Sequence, residues 1–382
     1  LSSVIHHCTR CLMPSSRPRI VFRDGICNAC HWLGGEYLQI DWADRKKQFE
    51  QLVDQNRKHQ VYDCIVPMSG GKDSGYIAYY LKHEMGLNPL CVTYGQMLWT
   101  DPGRYNFDQV SRAGCETLYW RHNQDVSRKL ARRFHIERGH IKQHYDSGVN
   151  AAPVLTAVAM NIPLIIYAEH GESFYGGLVL SEESRRTRNL EEVLEHQVGD
   201  DARNWAVDDI TERDLFLYVY PSLEDVIERR IKAHYFSFYF PWDIYQNAQL
   251  AREKMGYHQA RNGFTDDGLP LWWGKSDGSF EGFDSLDDMV DDTDFFMMGV
   301  KFGFGRATRM ASRLIQMGHM TRERGLELVR KYDIEFPHTY LPQILEYIGM
   351  TEDEYRANVD THRNQEIWTK EGGEWKLRFP PQ

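Results

Sequence analysis

The sequence predicts an α/β fold on a doubly wound parallel sheet, preceded by a metal-binding ribbon and followed by a mainly helical C-terminal region. Three observations predict it. Apolar runs of strand length alternate with amphipathic segments between residues 61 and 168, the pattern of a parallel sheet covered by helices on both faces. A glycine-rich run, Ser69-Gly70-Gly71-Lys72-Asp73-Ser74, falls where one of those strands turns into a helix. Two close cysteine pairs, Cys8-x2-Cys11 and Cys27-x2-Cys30, come before both.

The cysteine pairs are separated by fifteen residues, which is zinc-ribbon spacing. A pair two residues apart turns two thiolates onto one tetrahedral ion, and Gly25 and Asn28 supply turn chemistry around the second pair. Disulfides would need an oxidising compartment, and no export signal is read ahead of Cys8. Four thiolates leave no open coordination position, so the expected Zn²⁺ is structural, and His6, His7 and His31 are not needed as ligands.

A polar helix is expected over Trp42–Lys58, followed by a strand over Val61–Met68, a helix over Gly75–Met85 and a strand over Leu90–Tyr94. Helix Phe107–Gly114, strand Thr117–Trp120, helices Gln124–Ile136 and Ala151–Met160, and strand Pro163–Ala168 complete the alternation. Cys64, Cys91 and Cys115 lie within or next to these apolar runs and read as small packed hydrophobes. Ligands of such sheets collect beyond the carboxyl ends of the strands. The Ser69 loop, the turn Thr93-Tyr94-Gly95 and the run Glu169-His170-Gly171-Glu172 each follow a strand, so they are expected to converge on one crevice.

Beyond Gly177 the pattern loosens. Phe283–Asp294 carries six aspartates without EF-hand spacing, and reads as a solvated turn. Helices return at Phe304–Met317, Arg322–Tyr332, Tyr340–Tyr347 and, opened by the capping box Thr351-x-x-Glu354, up to about Asn358. Trp368–Phe379, around Gly372-Gly373, reads as a hairpin. The expected organisation is a ribbon over 1–40, a nucleotide-binding domain over 41–180, a variable substrate segment over 181–335, and C-terminal helices and hairpin over 336–382.

The net charge of −10, from 45 Lys and Arg against 55 Asp and Glu, weighs against a nucleic-acid partner, because such affinity is built mostly from neutralised phosphates. The two basic clusters, Arg128–Arg133 and Arg185–Arg188, read as solvated helix faces or turns. No apolar run approaches the roughly 20 residues that cross a bilayer. The expectation is a cytoplasmic protein with no membrane contact. Leu1 in place of Met suggests a trimmed or tagged start.

The chemistry concentrates in the Ser69 loop. Two adjacent glycines let backbone approach a phosphate, N–H groups of the turn and the first helical turn point at it, and Lys72 adds a full charge. The run is not a Walker A loop, since Val66 stands where its first glycine belongs and Asp73 follows the lysine. Asp73 is a reasonable Mg²⁺ ligand beside the phosphates. The pattern resembles the PP-loop of the N-type ATP pyrophosphatases, which implies ATP as co-substrate, cleaved to AMP and pyrophosphate. Ser69, Gly70, Gly71, Lys72, Asp73 and Ser74 would then hold the nucleotide, with Thr93, Tyr94 and Gly95 beside them.

The ribbon and that loop are joined, in order, by Ile162-Pro163-Leu164-Ile165-Ile166-Tyr167-Ala168-Glu169, Tyr175-Gly176-Gly177 and Lys301-Phe302-Gly303-Phe304-Gly305-Arg306-Ala307-Thr308. With all of these the chain resembles the N-acetyl sugar amidotransferases of bacterial surface-glycan biosynthesis, over residues 6–177 and 299–335. The resemblance implies conversion of an acetamido group on a nucleotide-activated sugar into an acetamidino group through an O-adenylylated imidate. Ammonia would come from a separate glutaminase, with a barrel subunit resembling imidazole glycerol phosphate synthase. It further implies that Lys72 and Asp73 act on the phosphates and that Lys301 and Arg306 close over phosphates or a sugar carboxylate. Glu169 and Glu172 would position the sugar or take protons. The rival is a tRNA-thiolating PP-loop enzyme, which should present a basic face and exposed loop cysteines.

Overall fold

In a computed structural model of the chain, residues 4–57, 61–188, 193, 198–207, 209–258 and 276–382 are described. A short antiparallel pair, β1 (Phe22–Arg23) and β2 (Ile26–Cys27), opens the chain inside the cysteine ribbon. The main sheet contains β3 (Cys64–Pro67), β4 (Pro89–Tyr94), β5 (Glu116–Trp120), β6 (Leu164–Tyr167) and β7 (Lys232–Tyr235), all parallel, in the order β5-β4-β3-β6-β7. The order runs outward from β3 in both directions, so the chain switches sides between β3 and β6. In open α/β sheets the ligand crevice lies at that switch.

Period-two alternation sends successive side chains to opposite faces. Cys64, Val66, Cys91, Leu164 and Ile166 join one core with Ile77, Leu81, Val110 and Ala248. Ile65, Leu90, Val92, Ile165 and Tyr167 join another with Val154, Ala157 and Ile162. Both faces are covered, as apolar strands of a parallel sheet require.

The helix expected over Phe107–Gly114 begins earlier, at Asp101, because Thr100 caps it through Gly103 N–H; the helix expected from Gln124 begins there, capped by Asn123, and runs on to Arg138. Helix Gln143–Met160 is buried on nearly every side and carries Pro153 internally, so only its last half shows in the sequence. The fifth strand, β7, lies beyond residue 180 and was not predicted; Lys232-Ala233-His234-Tyr235 is an edge strand too polar to announce itself.

Two expectations are corrected. The aspartate-rich segment is not a solvated turn. Asp287, Asp288, Asp291 and Asp292 are buried, and the segment runs into a helix, Val290–Phe302, that was not anticipated. Its charges are paired with distant elements: Asp291 with Lys142, Asp292 with Arg306, Asp284 with Lys72, while Asp288 accepts from Met97, Leu98 and Val290 N–H. Nor is Arg128–Arg133 a merely solvated face. Arg128 and Arg132 donate to the carbonyls of Tyr347 and Ile348, closing the C-terminus of helix Leu341–Ile348.

The C-terminal helices include Arg306–Gln316 and Arg322–Tyr332, and the chain ends in a hairpin of β8 (Trp368–Glu371) and β9 (Glu374–Leu377). The ribbon rests on both of these helices. Leu12 N–H donates to Ser312 Oγ at 3.2 Å, and Arg322 donates to the carbonyls of Cys11 and Cys8. No helix among the described residues is long and apolar enough to cross a membrane.

Candidate active site

The loop after β3 is shaped by its glycines. Gly70 has φ +98°, and a Cβ there would lie 2.7 Å from the Gly103 carbonyl oxygen, so no other residue fits. Gly71 is the N-cap of helix Lys72–Tyr79 and contributes no side-chain cap, which leaves first-turn N–H groups facing the crevice. Ser69 Oγ accepts from Gly71 N–H at 3.2 Å, and Gln96 Nε2 pins the Ser69 carbonyl at 2.8 Å.

Lys72 is 4% exposed. Its ammonium donates to Asp73 at 2.8 Å and to Asp284 from the aspartate-rich segment. Burial opposes its charge, but Asp284 and Asp73 outweigh burial and hold its pKa above the ordinary lysine value. Burial likewise works against ionised Asp284, yet Lys72 and Arg309 keep its carboxyl below the usual range. Asp73 also accepts from Asn247 Nδ2 at 3.2 Å. Asp287, which accepts from Gln96 at 2.7 Å, is pushed up to about 6 by burial and by Asp291. The carboxyl of Glu169, at the end of β6, is raised by burial and then by Asp73.

Helix Arg306–Gln316 supplies three arginines with different surroundings. The terminal nitrogens of Arg306 donate to Asp292 at 3.1 Å and to the carbonyls of Asp284 and Ser285, while its Nε, 4.0 Å from Glu281, has no hydrogen-bond partner among the described residues. Arg309 donates to the Tyr175 hydroxyl at 3.3 Å and to Asp284 at 3.4 Å. Arg313, 1% exposed, stands 3.5 Å from Glu169, and its guanidinium lies over Tyr175 at 4.6 Å and Phe174 at 5.2 Å. None of its guanidinium nitrogens has a hydrogen-bond partner among the described residues.

The structure therefore brings Lys72, Asp73 and Glu169 together beyond the carboxyl ends of β3 and β6, beside the loop of Ser69, Gly70, Gly71 and Ser74. Other predicted residues lie elsewhere. Lys301, at the end of helix Val290–Phe302, reaches the Arg138 carbonyl at 3.4 Å and lines a separate cavity with His140 and Asp294. Gly303, with φ +77°, ends that helix before Arg306 begins the next, so Lys301 and Arg306 belong to different helices. Tyr94 is fully packed against His122, Tyr145 and Tyr218, and Thr93 is buried; Gly95 admits the Tyr119 hydroxyl, 2.3 Å from where a Cβ would be. Glu172 pairs with Arg17 of the ribbon. Gln96, Asn247, Asp284, Asp287, Arg309 and Arg313 were missed. Only Arg309 and Arg313 carried a signal, their one-turn spacing after Arg306.

The four ribbon sulfurs lie within 4.8 Å of one another, with Cys8–Cys30 at 3.8 Å and Cys11–Cys27 at 3.7 Å. A tetrahedral ion with bonds of about 2.3 Å holds sulfurs about 3.8 Å apart, so this donor set fits Zn²⁺. Cys27 N–H donates to Cys8 Sγ at 3.3 Å and Gln316 Nε2 to Cys30 Sγ at 3.6 Å, bonds that favour thiolates. Among the described residues this is the one cluster of metal-ligand type, and it contains no histidine.

Residues 278–379 match the family described as LPS biosynthesis protein WbpG-like, C-terminal domain. The match supports a glycan-biosynthesis family, and it contains Asp284, Arg309 and Arg313. A stretch of 88 residues, 22% of the chain, is 34% identical to an uncharacterized protein of Methanocaldococcus jannaschii and covers 31% of that protein. The chain thus spans less than a third of the curated relative it matches.

Proposed function

We propose that the chain is an ATP-dependent amidotransferase that converts the acetamido group of a nucleotide-activated sugar into an acetamidino group, forming AMP and pyrophosphate. The observation that carries this reading is the Lys72–Asp73 pair at an uncapped helix start, on the switch point of a parallel sheet, reached by Asp284 from the segment that matches a glycan-biosynthesis family.

An amide oxygen leaves poorly, and ATP would supply the activation that lets it depart with AMP. Lys72 and the N–H groups of the Gly71 turn would hold the charge developing on pyrophosphate. Asp73 and Asp284, two carboxylates on either side of one ammonium, would hold Mg²⁺ against the phosphates. Glu169, whose raised pKa brings it nearer neutrality, would take the proton released as ammonia attacks. A cavity of about 380 Å³ beside His170 and Ser173, at the carboxyl ends of β6 and β7, is lined by Trp32, Phe174 and Phe238 with Glu182 and Arg45. Its carboxylates, Glu36, Asp41, Asp44 and Glu182, suit the hydroxyl groups of a sugar. The ribbon Zn²⁺ would be structural, and ammonia would come from a partner glutaminase.

The test supplies ATP, Mg²⁺, ammonium and an acetamido nucleotide-sugar and assays AMP against ADP. Lys72→Ala and Asp73→Ala should each remove most AMP release while the fold persists. Unchanged release in either variant would refute the assignment.

A further inference from the structure

We propose that Arg313, helped by Arg309 one turn earlier, is a receptor for phosphoryl oxygens that arrive over the Lys72 loop. The contrast along one helix carries it. Arg306, 2% exposed, has both terminal nitrogens bonded, to Asp292 and two carbonyls, and leaves only Nε without a hydrogen bond, 4.0 Å from Glu281, which is close to how a structural buried arginine looks. Arg313 is as deeply buried, and its guanidinium nitrogens have no hydrogen-bond partner among the described residues. Glu169 supplies an opposite charge at 3.5 Å without a hydrogen bond. A buried guanidinium stays charged and leaving it unbonded is strongly destabilising, so this arrangement makes sense when a ligand completes it.

The surroundings select the ligand. Arg313 interacts electrostatically with Asp73, Glu169 and Arg309, which places it on the side of the crevice shared with the loop. Tyr175 and Phe174 fix the guanidinium by ring contacts, and Arg309, also over Tyr175 at 4.9 Å, adds a second cation. A fixed planar fork beside a second cation matches phosphoryl oxygens bidentately. Those oxygens have two possible sources, the ATP triphosphate and the diphosphate of a nucleotide-sugar. The proposal rests on the ATP reading only for the loop's own ligand.

The experiment uses the full chain in phosphate-free buffer. Binding of inorganic pyrophosphate, α,β-methylene ATP and UDP is measured by calorimetry for wild type, Arg313→Met, Arg313→Lys and Lys72→Ala, with melting curves recorded without ligand. Arg313→Met should weaken pyrophosphate and the ATP analogue by roughly 10- to 100-fold, with lysine intermediate. Its unliganded melting temperature should equal or exceed wild type, because the unbonded charge is gone and Glu169, whose carboxyl burial and Asp73 already raise, can take up a proton once Arg313 is removed. A loss confined to UDP supports the receptor and assigns it to the nucleotide-sugar. Affinities within twofold of wild type for all three probes overturn the proposal, as does a lower unliganded melting temperature, which marks a structural arginine. If Lys72→Ala loses binding while Arg313→Met does not, this proposal falls alone. If wild type binds none of the probes, the ATP reading falls with it.

Discussion

Asp284→Asn tests whether the aspartate-rich segment locks the loop. Asn preserves shape, so no cavity confuses the result; what disappears is the negative charge facing Lys72 and Arg309. The side chains of Lys72 and Asp284 are 5% and 13% exposed, so solvent screens the pair little. Breaking a buried pair by removing one partner costs about 3–5 kcal/mol. Here Lys72 keeps Asp73 at 2.8 Å and Arg309 keeps the Tyr175 hydroxyl at 3.3 Å. The expected loss is therefore lower, about 2–3 kcal/mol. Urea unfolding at neutral pH of wild type, Asp284→Asn, Lys72→Met and the double variant should give a coupling of about 1.5–3 kcal/mol between the two sites. The carboxyl of Asp284 is held below its unfolded value, so its contribution is present above about pH 4 and is lost as pH falls through the folded value. The gap between wild type and variant should shrink in acid accordingly. Single losses that add to within about 0.5 kcal/mol in the double variant would refute the lock.

Metal analysis should find one zinc per chain, and Cys27→Ser with Cys30→Ser should abolish it; full retention of zinc would exclude the ribbon as its site. The same variant should lower the melting temperature of the whole chain by several degrees, since Ser312, Gln316 and Arg322 tie the ribbon to the C-terminal helices. Asp287, raised to about 6 when folded, opposes stability above that pH and ceases to do so as pH falls toward its unfolded value. Relative to wild type, Asp287→Asn should therefore lose about 2 kcal/mol between pH 7 and pH 4, read from denaturant curves; a pH-independent difference would contradict the raised value. With amide-labelled glutamine the chain alone should form no labelled amidine, and free ammonium should serve; the four ribbon cysteines face one another, and Cys64, Cys91 and Cys115 are buried, so none is free to act as a glutaminase nucleophile.

Local chemistry was legible and long-range pairing was not. β3, β4 and β6 are apolar on both faces, so their residues announce them; the cysteine spacing and the glycine loop are local as well. The polar edge strand β7 has no such signature. The aspartate-rich segment failed for a different reason. A run of like charge reads as solvated whenever its neighbours in sequence cannot neutralise it, and here the neutralising groups are remote: Lys72 is 212 residues from Asp284, and Lys142 is 149 from Asp291. Each of those lysines is equally misleading alone, because a lysine in a loop or at a helix start normally faces water. The same logic hid Arg313, whose spacing from Arg306 and Arg309 is ordinary helical periodicity. Only when the helix packs against Phe174 and Tyr175 does its guanidinium become buried without a hydrogen bond. Such unfinished pairing appears only after folding, and it marks the crevice where the sequence, taken residue by residue, shows an amphipathic helix and an acidic turn.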